Sequence, residues 1–179
     1  KDFFVKDVLG DYLEFHTELL TANGKTEVSV VPKTSSKVYV NTKKGTRIDS
    51  STIEWKIGID LSHQGLDGLL TVVDTISDNQ SFDFSSNAPM IVDDSGRTIQ
   101  GTVVIPTRNG SDHCYVFTIY GLNGQTKNAY LKYYTKILQG TSDTKFINNA
   151  TIKLGDLVIG EPSDEVDTSV PIIEKGMTD

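Results

Sequence analysis

The chain has 179 residues, enough for one domain with a sizeable core or for one domain with an incomplete neighbour. Its net charge is −7, from Asp+Glu 24 against Lys+Arg 17, and this acidic balance argues against a nucleic-acid partner or an anionic membrane surface. No apolar run is long enough for membrane insertion, and the single cysteine, Cys114, excludes an internal disulfide and a multi-cysteine metal site.

A chain opening on Lys1 reads as an excised fragment, so the lack of a signal peptide or sorting tail says little about its parent. In the first stretch, Phe3, Val5, Asp7 and Leu9 lie in register with Leu70, Val72, Asp74 and Ile76, which predicts a truncated internal repeat. Residues 22–25 (Ala-Asn-Gly-Lys) predict a hairpin turn, and 27–31 a strand that Pro32 ends. The polar run 33–36 lies where a linker would. After Val38-Tyr39-Val40 and Lys43-Lys44-Gly45 comes a strand over 52–60. There Trp55, Ile57 and Ile59 share a face, making Trp55 a core anchor and leaving Lys56 in water.

Residues 70–76 (Leu-Thr-Val-Val-Asp-Thr-Ile) alternate, so Asp74 shares the face of Val72 and Ile76 and is expected to point inward. Turns at 93–96, 108–111 and 122–125 flank strands at 102–106 and 115–120. Strands at this spacing, with no sustained helical periodicity, predict an all-β sandwich. Residues 129–138 alternate and are rich in tyrosine, 139–143 supply a turn, and 144–154 (Thr-Lys-Phe-Ile-Asn-Asn-Ala-Thr-Ile-Lys-Leu) alternate again; together they read as a closing hairpin. Phe146, Asn148, Ala150 and Ile152 fall on one face, so Asn148 enters a core and Asn149 turns outward. A buried asparagine must be paired, or it must react. The run 161–165 (Glu-Pro-Ser-Asp-Glu) reads as a linker, and 170–176 echoes 38–45 as the first strand of a following module.

Most other chemistry is poorly supported. His16, His63 and His113 are scattered, no phosphate-binding glycine motif or zinc spacing occurs, and no cofactor is implied. Residues 93–96 (Asp-Asp-Ser-Gly) lack the remaining ligands of a Ca²⁺ loop and read as a turn. Cys114 reads as a small buried side chain. Asn79, Asn109 and Asn149 head formal glycosylation acceptors. Tyr130, Tyr133 and Tyr134 are the candidates for an exposed row of aromatics in a carbohydrate-binding sandwich.

Three blocks in fixed order, 53–60 (Ile-Glu-Trp-Lys-Ile-Gly-Ile-Asp), 70–76 and 130–150, carry a resemblance to the Ig-like domains of Gram-positive surface adhesins. The likeness is to the second ligand-binding domain of the collagen adhesins, and it runs from about residue 37 to 154. It implies an Ig-like β-sandwich over 37–160, with 1–36 as the trailing part of a preceding module or an extension, and 161–179 as linker and start of the next. It implies an extracellular, cell-wall-anchored parent and a host extracellular-matrix partner. Two alternatives stand beside this reading: a purely structural stalk module and the carbohydrate-binding sandwich. In either adhesin or stalk form the chain is not an enzyme.

The resemblance further implies a spontaneous isopeptide bond between a lysine near the domain start and the first asparagine of the closing strand, assisted by an aspartate of the second block. Here these are Lys43, Asn148 and Asp74. Lys43 matches the family's lysine in its distance from the tryptophan; Lys44 has strand parity with Val38 and Val40, and Lys37 fits the longer spacings of related modules. Burial lowers a lysine pKa and raises a carboxyl pKa, which favours the neutral amine and protonated acid this chemistry requires. The competing reading makes Asp74 a turn cap with Thr75 and Ser77, pairs Asn148 with backbone and leaves the lysines wet.

Overall fold

The computed structural model describes residues 13–20, 25–32, 40–61, 69–122 and 128–169, and among them thirteen strands and no helix. The chain divides into two compact units, Lys1–Val38 and Tyr39–Asp179. In the first, β1 (Leu13–Leu20) pairs antiparallel with β2 (Lys25–Pro32), bringing Leu20 opposite Lys25. The turn at 21–24 and most of the expected repeat, 1–12, lie outside the described residues.

The second unit is a sandwich of two antiparallel sheets. The first sheet runs β3 (Thr42–Arg47), β4 (Thr52–Ile59), β10 (Ala129–Ile137), β6 (Gln80–Phe82), with β7 (Met90–Val92) also paired to β10. The second runs β12 (Leu157–Gly160), β11 (Lys145–Leu154), β5 (Leu70–Ile76), β9 (Ser111–Tyr120), β8 (Val103–Asn109), with β13 (Ser163–Asp167) also paired to β11. β8 and β9 are joined through Gly110 at φ 75°, a conformation that suits glycine, and a bulge at Arg108/Asn109 absorbs the register shift.

Period-two alternation delivers the core. Ile53, Trp55, Ile57 and Ile59 of β4 and Leu131 and Tyr133 of β10 face Val72 of β5, Phe117 of β9, and Phe146 and Ile152 of β11. Trp55 is fully buried, and its indole N–H donates to Thr135 Oγ1 at 2.9 Å, so the ring is the expected anchor with its one polar atom satisfied. Each such side chain contributes on the order of 1.5–3 kcal/mol of hydrophobic stabilisation. Gly45 lies opposite Trp55 on β3, where a Cβ would run into the Trp55 ring and Val166 Cγ2. The missing side chain lets β13 close over the edge of the first sheet.

Two expectations fail here. Residues 129–138 and 144–154 are not a hairpin: β10 belongs to the first sheet and β11 to the second, so 139–143 carries the chain across the sandwich. A short loop usually joins paired strands, but it can equally span the gap between stacked sheets. The acidic run read as a linker is β13, paired to β11 with Phe146 opposite Val166 and Asn148 opposite Asp164. Its single inward apolar residue, Val166, is 8 % exposed, while its acids line an edge, as edge strands often do. β11 is therefore not the last strand. Residues 170–179 lie outside the described residues.

Candidate functional site

Four polar side chains from both sheets meet inside the sandwich. Alternation on β3 turns Lys43, Gly45 and Arg47 one way and Lys44 the other, so the backbone of Lys43 is partly exposed on the sheet edge while its side chain is 0 % exposed. Asp74 of β5, Tyr133 of β10 and Asn148 of β11 are also 0 % exposed. In the β5–β11 pairing Asp74 faces Ala150 and Asn148 faces Ile76, which makes Asp74 and Asn148 diagonal neighbours on the inner face. The Lys43 ammonium reaches them past aromatic rings, 5.8 Å from the Trp55 centroid and 6.0 Å from that of Tyr133.

The hydrogen bonds converge on two atoms. Lys43 Nζ donates to Asp74 Oδ2 at 2.5 Å and to Tyr133 Oη at 3.3 Å. Tyr133 Oη donates to the same Asp74 oxygen at 2.6 Å and accepts from Asn148 Nδ2 at 2.8 Å. A hydroxyl has one proton, and this one is held by Asp74, so the carboxamide must turn its nitrogen, not its oxygen, to Tyr133. Two buried acceptors are left without a partner, Asp74 Oδ1 and Asn148 Oδ1. Buried polar atoms are usually satisfied, and an orphaned pair inside one cluster marks a place where polarity has been kept at a cost.

Electrostatics point the same way. Burial pushes the Lys43 amine below its ordinary pKa, against the opposing pull of the Asp74 carboxylate and of Asp164. Burial, with the Asp74 charge beside it, holds the Tyr133 hydroxyl well above the usual phenol value, so it keeps its proton. Asp164 of β13 also accepts the Gly45 amide at 2.7 Å, tying β13 to the strand that carries Lys43.

A second buried chain of hydrogen bonds fixes the backbone beside Asn148. Thr135 Oγ1 donates to Gln80 Oε1 at 2.8 Å, and Gln80 Nε2 donates to the Ile147 carbonyl at 3.1 Å. The Ser77 amide donates to that carbonyl at 3.0 Å, and the Ile147 amide donates to Ser77 Oγ at 3.2 Å. Ser77 thus supports β11 and does not form a turn cap with Asp74.

The residues singled out in the sequence separate clearly. Lys43, Asp74 and Asn148 come together; Lys44 is exposed, Asn149 is exposed, and Lys37 lies outside the described residues. Lys56 is on the outer face, 3.4 Å from Glu54. The expected row of aromatics is broken by parity: Tyr133 is in the core, while Tyr130 and Tyr134 point outward and donate to Asp94 and Glu54 at 2.7 and 2.9 Å. Cys114 is half-buried, against the expectation of a buried thiol. Asp93 accepts from Ser95 and Arg97 within an ordinary turn, and among the described residues no cluster of His, Cys, Asp and Glu forms a metal site. The residue that sequence reasoning missed is Tyr133, although its parity with Leu131 and Thr135 already placed a hydroxyl in the core.

No protein-family model matches the chain, and no curated protein matches it. Solved structures do. The collagen-binding domain of Erysipelothrix rhusiopathiae surface protein RspB is similar with a TM-score of 0.51 at 12% identity, over 90% of this chain and 57% of that one. The collagen-binding domain of a Staphylococcus aureus adhesin gives 0.49 at 18% identity, over 75% of this chain and 99% of that one. The T6 backbone pilin of Streptococcus pyogenes gives 0.48 at 10% identity, over 79% of this chain and 36% of that one. The chain therefore has an all-β, Ig-like sandwich fold, which it shares with the RspB domain.

Proposed function

We propose that this chain is an extracellular module of a Gram-positive cell-wall-anchored adhesin or pilus, and that it matures by forming an amide between Lys43 and Asn148. The observation that carries the reading is a lysine side chain with no solvent exposure, 2.5 Å from an equally buried aspartate, in one hydrogen-bonded cluster with an asparagine. A buried ion pair costs several kcal/mol in desolvation, and proton transfer from Lys43 to Asp74 removes both charges at once. The neutral amine then attacks Asn148 Cγ, the C–Nδ2 bond breaks, and ammonia leaves. Asp74, protonated, then stands as a neutral acid beside the carboxamide, whose oxygen has no partner in the resting cluster. The reaction runs once per molecule, so it is maturation and not turnover.

The bond would join β3 of one sheet to β11 of the other, giving a disulfide-free module a covalent tie. Such a module supports attachment to host matrix, by holding a matrix protein or by spacing the part that does. The test is the intact mass of the purified chain. A deficit of one ammonia is expected, absent from Asn148→Ala and Lys43→Ala after allowing for each substitution; a full-mass wild-type chain would reject the bond. Binding to an array of matrix proteins then separates an adhesive module from a stalk.

A further inference from the structure

Forming the amide moves protons that Asp74 alone does not account for. Two must leave the Lys43 nitrogen, which begins as an ammonium and ends as an amide N–H, and one must arrive on Asn148 Nδ2 before it departs as neutral ammonia. The first proton passes to Asp74 across the 2.5 Å contact and stays there. The second has to travel between two nitrogens attached to the same carbon, and direct transfer would require a strained small ring. The Tyr133 hydroxyl sits between them: Oη is 3.3 Å from Lys43 Nζ and 2.8 Å from Asn148 Nδ2.

Resting on the Lys43–Asn148 bond proposed above, we infer that Tyr133 is a catalytic residue of that reaction, relaying the second proton from the attacking amine to the departing nitrogen. In the resting cluster its own proton is committed to Asp74 Oδ2 at 2.6 Å. Once Asp74 takes the lysine proton, that oxygen no longer holds the hydroxyl as a carboxylate does, and the phenol proton turns to Nδ2. As Nδ2 receives it, Oη takes the remaining proton from the newly bonded Lys43 nitrogen. The hydroxyl ends as it began, Asp74 ends protonated, and the products are one amide and one ammonia. Burial keeps the phenol neutral throughout, so it has a proton to give and a lone pair to receive one. The same hydroxyl holds the carboxamide with its leaving nitrogen toward the donor, an orientation the committed proton enforces.

The experiment follows the intact mass of the full chain against time in a cell-free translation. Tyr133→Phe keeps the ring against Phe82 and Phe117 and removes only the hydroxyl. Ammonia loss is expected to slow by about 10²–10⁴-fold, the usual worth of a positioned proton-transfer group. Closure of the Phe variant within a few-fold of wild type overturns the relay. A fluorinated tyrosine incorporated at position 133 keeps the hydrogen bonds and makes the hydroxyl more acidic, so it separates proton transfer from mere positioning and serves even where the Phe variant does not fold. Its closure rate is expected to differ from wild type at least several-fold; an unchanged rate overturns the relay. A wild-type chain that never loses ammonia fails differently, by removing the bond on which the relay rests.

Discussion

An ammonium and a carboxylate taken out of water together survive only while each has the other, which is why Lys43 and Asp74 are coupled in stability as well as in chemistry. In the uncross-linked Asn148→Ala chain, adding Lys43→Ala is expected to leave Asp74 as a lone buried acid, with a loss of about 3–5 kcal/mol in urea denaturation, whereas adding Lys44→Ala, on the exposed face, should change stability by less than about 0.5 kcal/mol. The pH dependence has a definite sign. In uncross-linked Asn148→Ala, burial lowers the Lys43 pKa below its ordinary 10.5, so between that lowered value and 10.5 the unfolded chain binds more protons than the folded one, and stability rises with pH. A cross-linked Lys43 is an amide and does not titrate. The stability gap between wild type and Asn148→Ala is therefore expected to narrow as pH climbs through that window; a gap constant with pH would mean that Lys43 titrates alike in both states. Parity alone placed Asp74 inward and set Asn148 ahead of Asn149, because each sits among residues whose alternation is unbroken. It could not choose the lysine. Val40 and Lys44 share strand parity, and only the structure shows that this shared face is the wet one.

Strands with full alternation, β4, β5, β10 and β11, were legible because every second residue is apolar or buried. β13 was not, since its run of acids and the preceding Pro162 match a linker in composition and a single valine gives no period. The same limit hid the crossing from β10 to β11: alternation names the buried face of a strand, but it does not say which sheet holds that strand. Yet β13 is fastened at several points. Asp164 accepts the Gly45 amide, Val166 covers Gly45, Arg47 Nη1 donates to the Thr168 carbonyl at 3.2 Å, and the Thr168 amide donates to the Thr144 carbonyl at 2.7 Å. Gly45→Ala is expected to cost about 1–3 kcal/mol, because the added methyl meets the Trp55 ring and Val166 and one of them must move. Chemical denaturation of the alanine variant measures this directly, and a neutral result would mean that β13 does not pack on β3 in solution. Asp164→Ala is expected to destabilise by about 1–3 kcal/mol, since the Gly45 amide loses a charged acceptor.

At the scale of the molecule, the place of the proposed bond decides which part of the sandwich can be pulled apart. Force applied at residues 40 and 169 enters through β3, crosses from Lys43 to Asn148, and leaves along the chain that follows. Everything from β4 to β10 then lies off the load path, inside a covalent loop. β12 and β13 follow Asn148 and stay on it, held only by their pairing to β11 and by the contacts of β13 with β3. The tie therefore protects the core and leaves its C-terminal cover free to peel. With the bond in place, single-molecule extension between those two positions should release no more than about 70 Å, the reach of the roughly 20 residues after Asn148 at about 3.5 Å each. In Lys43→Ala the same pull should release up to about 450 Å, as some 130 residues unravel. A long release from a chain whose mass shows the ammonia deficit would place the bond outside the load path and require another pair of residues. A short release that vanishes in Lys43→Ala would identify β12 and β13 as the segment that yields first while the sandwich beneath them stays closed.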